Sequence, residues 1–152
     1  MRAVVQRVKK ASVSIDNTVK SSINEGFLVY LGISVDDSQL DLDYLVEKIA
    51  GLRIFPDQKG KMNLSFTDIT DIKMEILVIS QFTLYGDVRK GRRPSYIKAM
   101  DGTDAKQLYI EFIHKIEKKK IICKTGEFGA DMQVESINNG PVTILLDSTR
   151  LF

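Results

Sequence analysis

The stretch TDAKQLYIEFIHKIEKKKIICK, residues 103–124, holds both kinds of regular structure in this chain and the junction between them. Ala105, Leu108, Tyr109, Phe112, Ile113 and Ile116 recur at spacings of three and four, which places them on one face of an α-helix. Thr103 is a residue type that caps a helix start. Lys118, Lys119 and Lys120 suit the negative end of the helix dipole, which is a sufficient structural reason for them. Ile121, Ile122 and Cys123 then read as a strand. A helix running straight into a β-strand predicts a mixed fold.

Downstream, residues 132–137 and 142–147 read as two strands, with Asn138-Asn139-Gly140-Pro141 as a concentrated turn signal between them. Upstream, Glu75–Ser80 is a strand by its Ile-Leu-Val-Ile content and runs directly into Gln81-Phe82-Thr83-Leu84-Tyr85. Residues 55–65, FPDQKGKMNLS, read as a long loop. Before it, Leu42, Leu45, Val46 and Ile49 fall on one face of a first helix. Ser38, with Asp41 three residues on, is its cap. The first third reads as a β meander. Val13 and Ile15 alternate with Ser12, Ser14 and Asp16, Asp16-Asn17 turns the chain, and Val19 and Ile23 mark a return strand. Glu25-Gly26 supplies the next turn, and residues 27–33 are apolar enough for the sheet interior. The expected fold is a single α+β domain over residues 1–152: a mostly antiparallel, curved or barrel-like sheet covered by two main helices.

Composition narrows the function classes. Hydrophobic residues make up 43% and charged residues 28% of the chain, a soluble globular balance. No apolar run approaches the ~18 residues of a membrane span, and the opening residues lack a signal peptide's apolar stretch. A cytoplasmic home without a membrane partner is the expectation. The net charge of +2 is too small to establish nucleic-acid binding. Its distribution says more, because Arg89, Lys90, Arg92, Arg93 and Lys98 crowd one short stretch. That stretch reads either as a solvated loop or as a phosphate contact.

Conventional catalytic groups are scarce. Cys123 is the single cysteine and reads as a buried strand thiol. His114 is the single histidine, lies off the apolar stripe, and reads as a solvated helix-face residue. Without it there is no Ser-His-Asp or Cys-His arrangement. No HExxH, CxxC or Gly-rich phosphate loop occurs, so no metal and no cofactor is expected. Two segments stay open between a structural and a functional role. One is Ser80-Gln81-Phe82-Thr83-Leu84, which puts hydroxyls and an amide at a hydrophobic strand end. The other is Asn138-Asn139-Gly140-Pro141-Val142-Thr143, where X-Pro is the one common site of a cis peptide, although most such bonds are trans.

Together these two segments resemble the signature motifs of the D-aminoacyl-tRNA deacylase family, the second being its Gly-cisPro motif. The resemblance extends to Met1-Arg2-Ala3-Val4-Val5-Gln6-Arg7-Val8, Gly60-Lys61-Met62-Asn63-Leu64-Ser65, Tyr85-Gly86-Asp87, Lys90-Gly91, Arg93-Pro94-Ser95 and Gly126-Glu127-Phe128-Gly129-Ala130-Asp131-Met132. It implies a homodimer with an active site at each subunit interface. Gly140 and Pro141 of one subunit would enter the pocket of the other. Two main-chain carbonyls there would hold the substrate's α-amino group and exclude an L side chain, while glycine would pass. The resemblance makes Arg7 the supporting residue for that hook, and Phe128 and Met132 the lining of the terminal adenosine pocket.

The implied reaction is hydrolysis of D-aminoacyl-tRNA, and of glycyl-tRNA mischarged on tRNA-Ala. The neighbouring ribose hydroxyl would assist, and the protein would mainly orient the ester and supply oxyanion donors. Ser80, Gln81, Phe82 and Thr83 are the catalytic candidates. The donors would be the main-chain N–H groups near Phe82 and Thr83, with Gln81 a further candidate. A competing mechanism makes Thr83 a nucleophile, but no base to activate it is legible. Competing functions are a non-catalytic tRNA- or RNA-binding module and a small-molecule hydrolase of D-amino acid esters or peptides. A related protein with a trans Gly-Pro bond would prefer a different small amino acid.

Overall fold

The computed structural model describes residues 1–69 and 73–151. Its strands are β1 (Arg2–Ile15), β2 (Thr18–Ile23), β3 (Gly26–Gly32), β4 (Phe55–Pro56), β5 (Met62–Leu64), β6 (Glu75–Ser80), β7 (Ile122–Thr125) and β8 (Gln133–Asp147). The helices are α1 (Gln39–Ala50) and α2 (Gly102–Lys118), with a 3-10 turn at Phe82–Tyr85. The main sheet runs β2-β1-β3-β6-β7, and β8 pairs with β1. Strand β2 swings back towards β7: Ser21 Oγ donates to the Thr125 carbonyl at 2.6 Å, and Lys124 Nζ to the Ser22 carbonyl at 2.7 Å. These bonds bring the sheet close to a barrel, so the single α+β domain with a barrel-like sheet and two helices is what the chain forms.

The pairing refines that expectation. Strands β2, β3 and β8 all pair antiparallel with β1, but β3–β6 and β6–β7 are parallel. Parallel neighbours need a crossover, and α1 and α2 are those crossovers. The first third is therefore not a meander. Strand β3 skips β2 and pairs with the N-terminal half of β1, because β1 is 14 residues long and offers two partner sites in line. Gly26 starts β3 where a Cβ would fall 1.8 Å from the Glu75 carbonyl oxygen, so only glycine lets β3 and β6 meet there.

Two apolar layers follow from this arrangement. Phe27, Val29, Leu31, Ile76 and Val78 face the helices and meet Leu42, Leu45, Ile49, Tyr109, Phe112 and Ile116. The alternate residues Leu28, Leu77 and Ile79 turn inward and join Val8, Val13 and Ile23 inside the barrel. Both faces of β3 and β6 are thus buried, which explains their nearly unbroken apolar runs.

The start of α1 is as expected: the Ser38 main-chain N–H and hydroxyl both donate to the Asp41 carboxylate, at 2.9 and 2.7 Å. The start of α2 is not. The cap is Asp101, whose carboxylate accepts from Gly102 N at 2.6 Å, and Thr103 lies inside the first turn. A carboxylate caps as well as a hydroxyl and adds charge at the positive end of the helix. Residues 55–65 are not a structureless loop, since β4 and β5 form a small antiparallel pair. Phe55 stacks on Phe27 at 4.8 Å, and Phe66 meets Phe27 edge-on at 4.6 Å, so both ends of the excursion are tied into the core.

The largest correction lies at the C-terminal end. Residues 138–141 do not reverse the chain, and β8 is one strand of 15 residues. Gln6 pairs with Thr143 and Val8 with Asn138, so the residues between bulge out opposite Arg7. Turn-forming residues serve a bulge as readily as a hairpin.

Candidate active site

Strands β3, β6 and β7 run parallel, so their carboxyl ends emerge together. A crevice beyond such ends is a common ligand position in parallel sheets. Here it is a cavity of about 630 Å³. Its deepest lining is Leu31, Ile33 and Ile79. Ser80, Gln81 and Phe82 form one side, and Phe128, Gly129, Ala130, Asp131 and Met132 are also part of its lining. Tyr96, Ala99, Met100, Asp101, Ala105 and Val134 complete it.

The structure therefore brings together five residues singled out from sequence: Ser80, Gln81, Phe82, Phe128 and Met132. Ser80 ends β6 beside Leu31. The Gln81 main-chain N–H donates to the Leu31 carbonyl at 2.8 Å, so it is committed to the sheet and is not a spare oxyanion donor. Its side-chain amide donates to Thr83 Oγ1. Phe82 is 56% exposed and meets Tyr96 edge-on at 4.9 Å. Phe82 and Thr83 lead the 3-10 turn, whose first N–H groups have no partner within the turn. Thr83 is exposed and does not line the cavity within this chain.

Phe128 packs its ring 5.5 Å from that of Tyr109, and the Tyr109 hydroxyl donates to the Val78 carbonyl at 2.8 Å. Burial pushes the Tyr109 hydroxyl well above its ordinary range, so it stays a neutral donor. Met132 reaches from the start of β8 into the barrel layer and packs against Gly126.

Gly140, Pro141 and Arg7 are elsewhere; none lines the cavity of its own chain. Gly140 and Pro141 are exposed at the bulge of β8, and the peptide bond between them is cis. The bulge is held by side chains. Arg7 Nε donates to the Asn139 carbonyl at 3.0 Å, and its Nη1 donates to the Ile54 carbonyl. Asn138 Oδ1 accepts from Val142 N at 2.9 Å, and its amide nitrogen donates to Thr143 Oγ1 at 3.0 Å. Gly140 has a φ of +131°, and a Cβ there would lie 2.7 Å from Val142 Cγ2 and 2.9 Å from Arg7 Nη2. Only glycine fits.

The single cysteine and the single histidine lie outside the cavity lining, whose carboxylates are Asp101, the cap of α2, and Asp131. Burial and then Glu117 push the Cys123 thiol up to about 12, which leaves it protonated near neutrality. His114 is exposed on α2 and outside the cavity lining. Among the described residues, no three His, Cys, Asp or Glu side chains gather closely enough to hold a metal ion. Among the described residues, no helix is long and apolar enough to cross a membrane.

Sequence reasoning missed several residues of this region. Arg2 Nη1 donates to the Leu84 carbonyl at 3.0 Å, its Nε to Asp147 at 2.8 Å, and its guanidinium lies 4.6 Å from the centre of the Tyr85 ring. It thereby ties the 3-10 turn to both β1 and β8. Asn138 and Tyr96 were within quoted or neighbouring motifs, but nothing in their spacing signals the contacts they make. Asp101 is as good a cap type as Thr103, and local sequence does not choose between them.

Comparison with known proteins adds the family. The D-Tyr-tRNA(Tyr) deacylase family model matches residues 4–147. The D-aminoacyl-tRNA deacylase of Clostridium botulinum (strain Eklund 17B / Type B) is 55% identical over 152 residues, covering 100% of both chains. That of Thermosipho africanus (strain TCF52B) is 53% identical with the same coverage. Among solved structures, the c-Myc DNA Unwinding Element Binding Protein superposes with a TM-score of 0.87 at 43% identity, covering 97% of this chain and 98% of that one. A probable eukaryotic D-amino acid tRNA deacylase has a TM-score of 0.78 at 20% identity over 96% and 98%, a likeness of fold.

Proposed function

The chain belongs to the D-Tyr-tRNA(Tyr) deacylase family, and from that premise we propose that it hydrolyses the ester linking a D-amino acid to the end of a tRNA. The observation that carries the reading is the meeting of Ser80, Gln81 and Phe82 with Phe128 and Met132 around one cavity at the ends of three parallel strands. The aromatic and thioether side chains suit a flat nucleoside. The polar strand end suits the ester.

The active unit is a homodimer. Gly140 and Pro141 are exposed on β8 and do not line their own cavity, so they act in the cavity of a second copy. Exposed Ile137, Leu145 and Phe82 are apolar side chains that a partner would cover. There the main-chain carbonyls of Gly140 and Pro141 accept hydrogen bonds from the substrate's α-ammonium, and the rigid bulge leaves no space for an L side chain. Selectivity arises by exclusion. Glycine presents no side chain to exclude, so glycyl-tRNA mischarged on tRNA-Ala is a second substrate. Arg7 and Asn138 keep the bulge in shape.

Chemistry rests on the substrate. The free ribose hydroxyl beside the ester helps to activate water, and the main-chain N–H groups of Phe82 and Thr83 stabilise the developing oxyanion. A cytoplasmic location follows from a tRNA substrate. Incubation with D-tyrosyl-tRNA tests the reading: release of D-tyrosine is expected, and loss of that release in Phe128→Ala. Tight tRNA binding with no release would instead make the protein a non-catalytic RNA-binding module.

A further inference from the structure

We propose that the arch formed by residues 87–98 is the docking surface for the phosphate backbone of the tRNA acceptor end; this rests on the deacylase reading and locates where the RNA outside the cavity is held.

The arch begins where the 3-10 turn ends. Gly86 N donates to the Thr83 carbonyl at 2.9 Å, and Asp87 and Ser95 exchange main-chain hydrogen bonds of 2.8 and 2.9 Å. Its far foot is fixed to the end of β3: Val35 N donates to the Lys98 carbonyl at 3.1 Å, and Met100 N to the Ile33 carbonyl at 2.9 Å. Both feet are therefore attached to segments that line the cavity. Tyr96, which lines the cavity and packs on Phe82, joins arch and site directly.

Charge distinguishes the arch from the rest of the molecule. Between residues 87 and 98 lie five basic side chains and one carboxylate, a formal charge of +4 against +2 for the whole chain, so the remainder is net acidic. The carboxylate, Asp87, is occupied by Arg89 at 2.6 Å. Lys90, Arg92 and Arg93 are exposed and make no ion pair among the described residues. Folding does not require a lysine and two arginines side by side in water, and their mutual repulsion disfavours it. The cavity itself carries the opposite sign, with Asp101 and Asp131 in its lining. An aminoacyl-RNA end has the same polarity: an ammonium group at the ester and phosphates beyond it. With the ester at Ser80–Thr83, the nearest phosphates leave the cavity alongside Tyr96 and meet the arch. A subunit interface is a poorer occupant, because charged side chains are depleted at interface cores.

The test compares the intact protein with a Lys90→Ala, Arg92→Ala, Arg93→Ala triple variant and with a charge-conserving Lys90→Arg, Arg92→Lys, Arg93→Lys variant. Two readouts are used. The first is binding of uncharged tRNA across a salt series, where each lost phosphate contact makes the slope of log affinity against log salt shallower by ~0.9. The triple variant should lose about 2 to 3 in that slope. The second is the ratio of kcat/KM for D-aminoacyl-tRNA to kcat/KM for the phosphate-free D-aminoacyl-adenosine. That ratio should fall by at least about tenfold in the triple variant and return in the charge-conserving one. An unchanged slope and ratio overturn the proposal. Equal loss on both substrates also overturns it, because the arch would then act by shaping the 3-10 turn. If the intact protein fails to hydrolyse any D-aminoacyl-tRNA, the deacylase reading fails, while the binding series still reports whether the arch holds RNA.

Discussion

Thr83 carries a hydroxyl whose neighbour is the Gln81 amide, and an amide cannot take its proton. In the proposed mechanism the ester-cleaving step draws on groups other than a threonine alkoxide. Thr83→Ala should keep turnover of D-aminoacyl-tRNA within about tenfold of the unaltered protein. A loss of several orders of magnitude, with tRNA binding intact, would make Thr83 the nucleophile. Cys123 gives a second residue-level prediction. With its thiol pushed up to about 12, alkylating reagents at pH 8 should leave hydrolysis unaffected, and rapid inactivation would contradict this. Asn138 gives a third. Asn138→Ala removes the acceptor for Val142 N–H and should cost about 1–2 kcal/mol in urea unfolding. If the bulge is the selectivity element, the same substitution should also relax the preference for D over L. Unchanged stability and unchanged selectivity would remove Asn138 from this account.

At the scale of elements, the start of α1 reports through acid stability. Burial raises the Asp41 carboxyl, but the Ser38 hydroxyl and main-chain N–H outweigh it and hold the group at about 2. The folded value lies below the ordinary 3.8, so the Asp41 contribution is complete above about pH 4 and is lost as pH falls towards 2. Asp41→Asn should therefore flatten the dependence of the urea midpoint on pH in that window, and parallel curves for both proteins would contradict it. The elements also show what periodicity can and cannot carry. Strand β6 and both helices were legible because their apolar spacing is a property of the element alone. Pairing is not: β3 and β6 lie parallel, and the meander expected for the first third does not form. A hint was present, because both strands are apolar on both faces and a helix separates them. The bulge of β8 was hidden for another reason. Asn, Gly and Pro favour turns and bulges alike, and only the long partner β1 decides between them. The site was legible in parts. Ser80–Phe82 ends a buried strand, but its approach to Phe128 and Met132 depends on the parallel crossovers, which the local sequence does not encode.

For the whole molecule, Gly140 and Pro141 do not line their own cavity, and the proposed mechanism therefore includes assembly. Each site in the proposed dimer takes its cavity from one subunit and its hook from the other. A chain altered at Gly140 and Pro141 should be inactive or unselective alone, and so should a chain carrying Phe128→Ala. Mixed dimers of the two should recover one complete site of the two, so activity should return on co-expression. No recovery despite formation of mixed dimers would place hook and cavity in the same chain. The proposed selectivity is stereochemical: a rigid main-chain bulge admits one mirror image of an esterified amino acid. Hydrolysis rates of D-tyrosyl-tRNA and L-tyrosyl-tRNA under identical single-turnover conditions measure it directly. Rapid loss of the D ester with the L ester left intact is expected, and equal rates for the two would rule out chiral selection by the bulge.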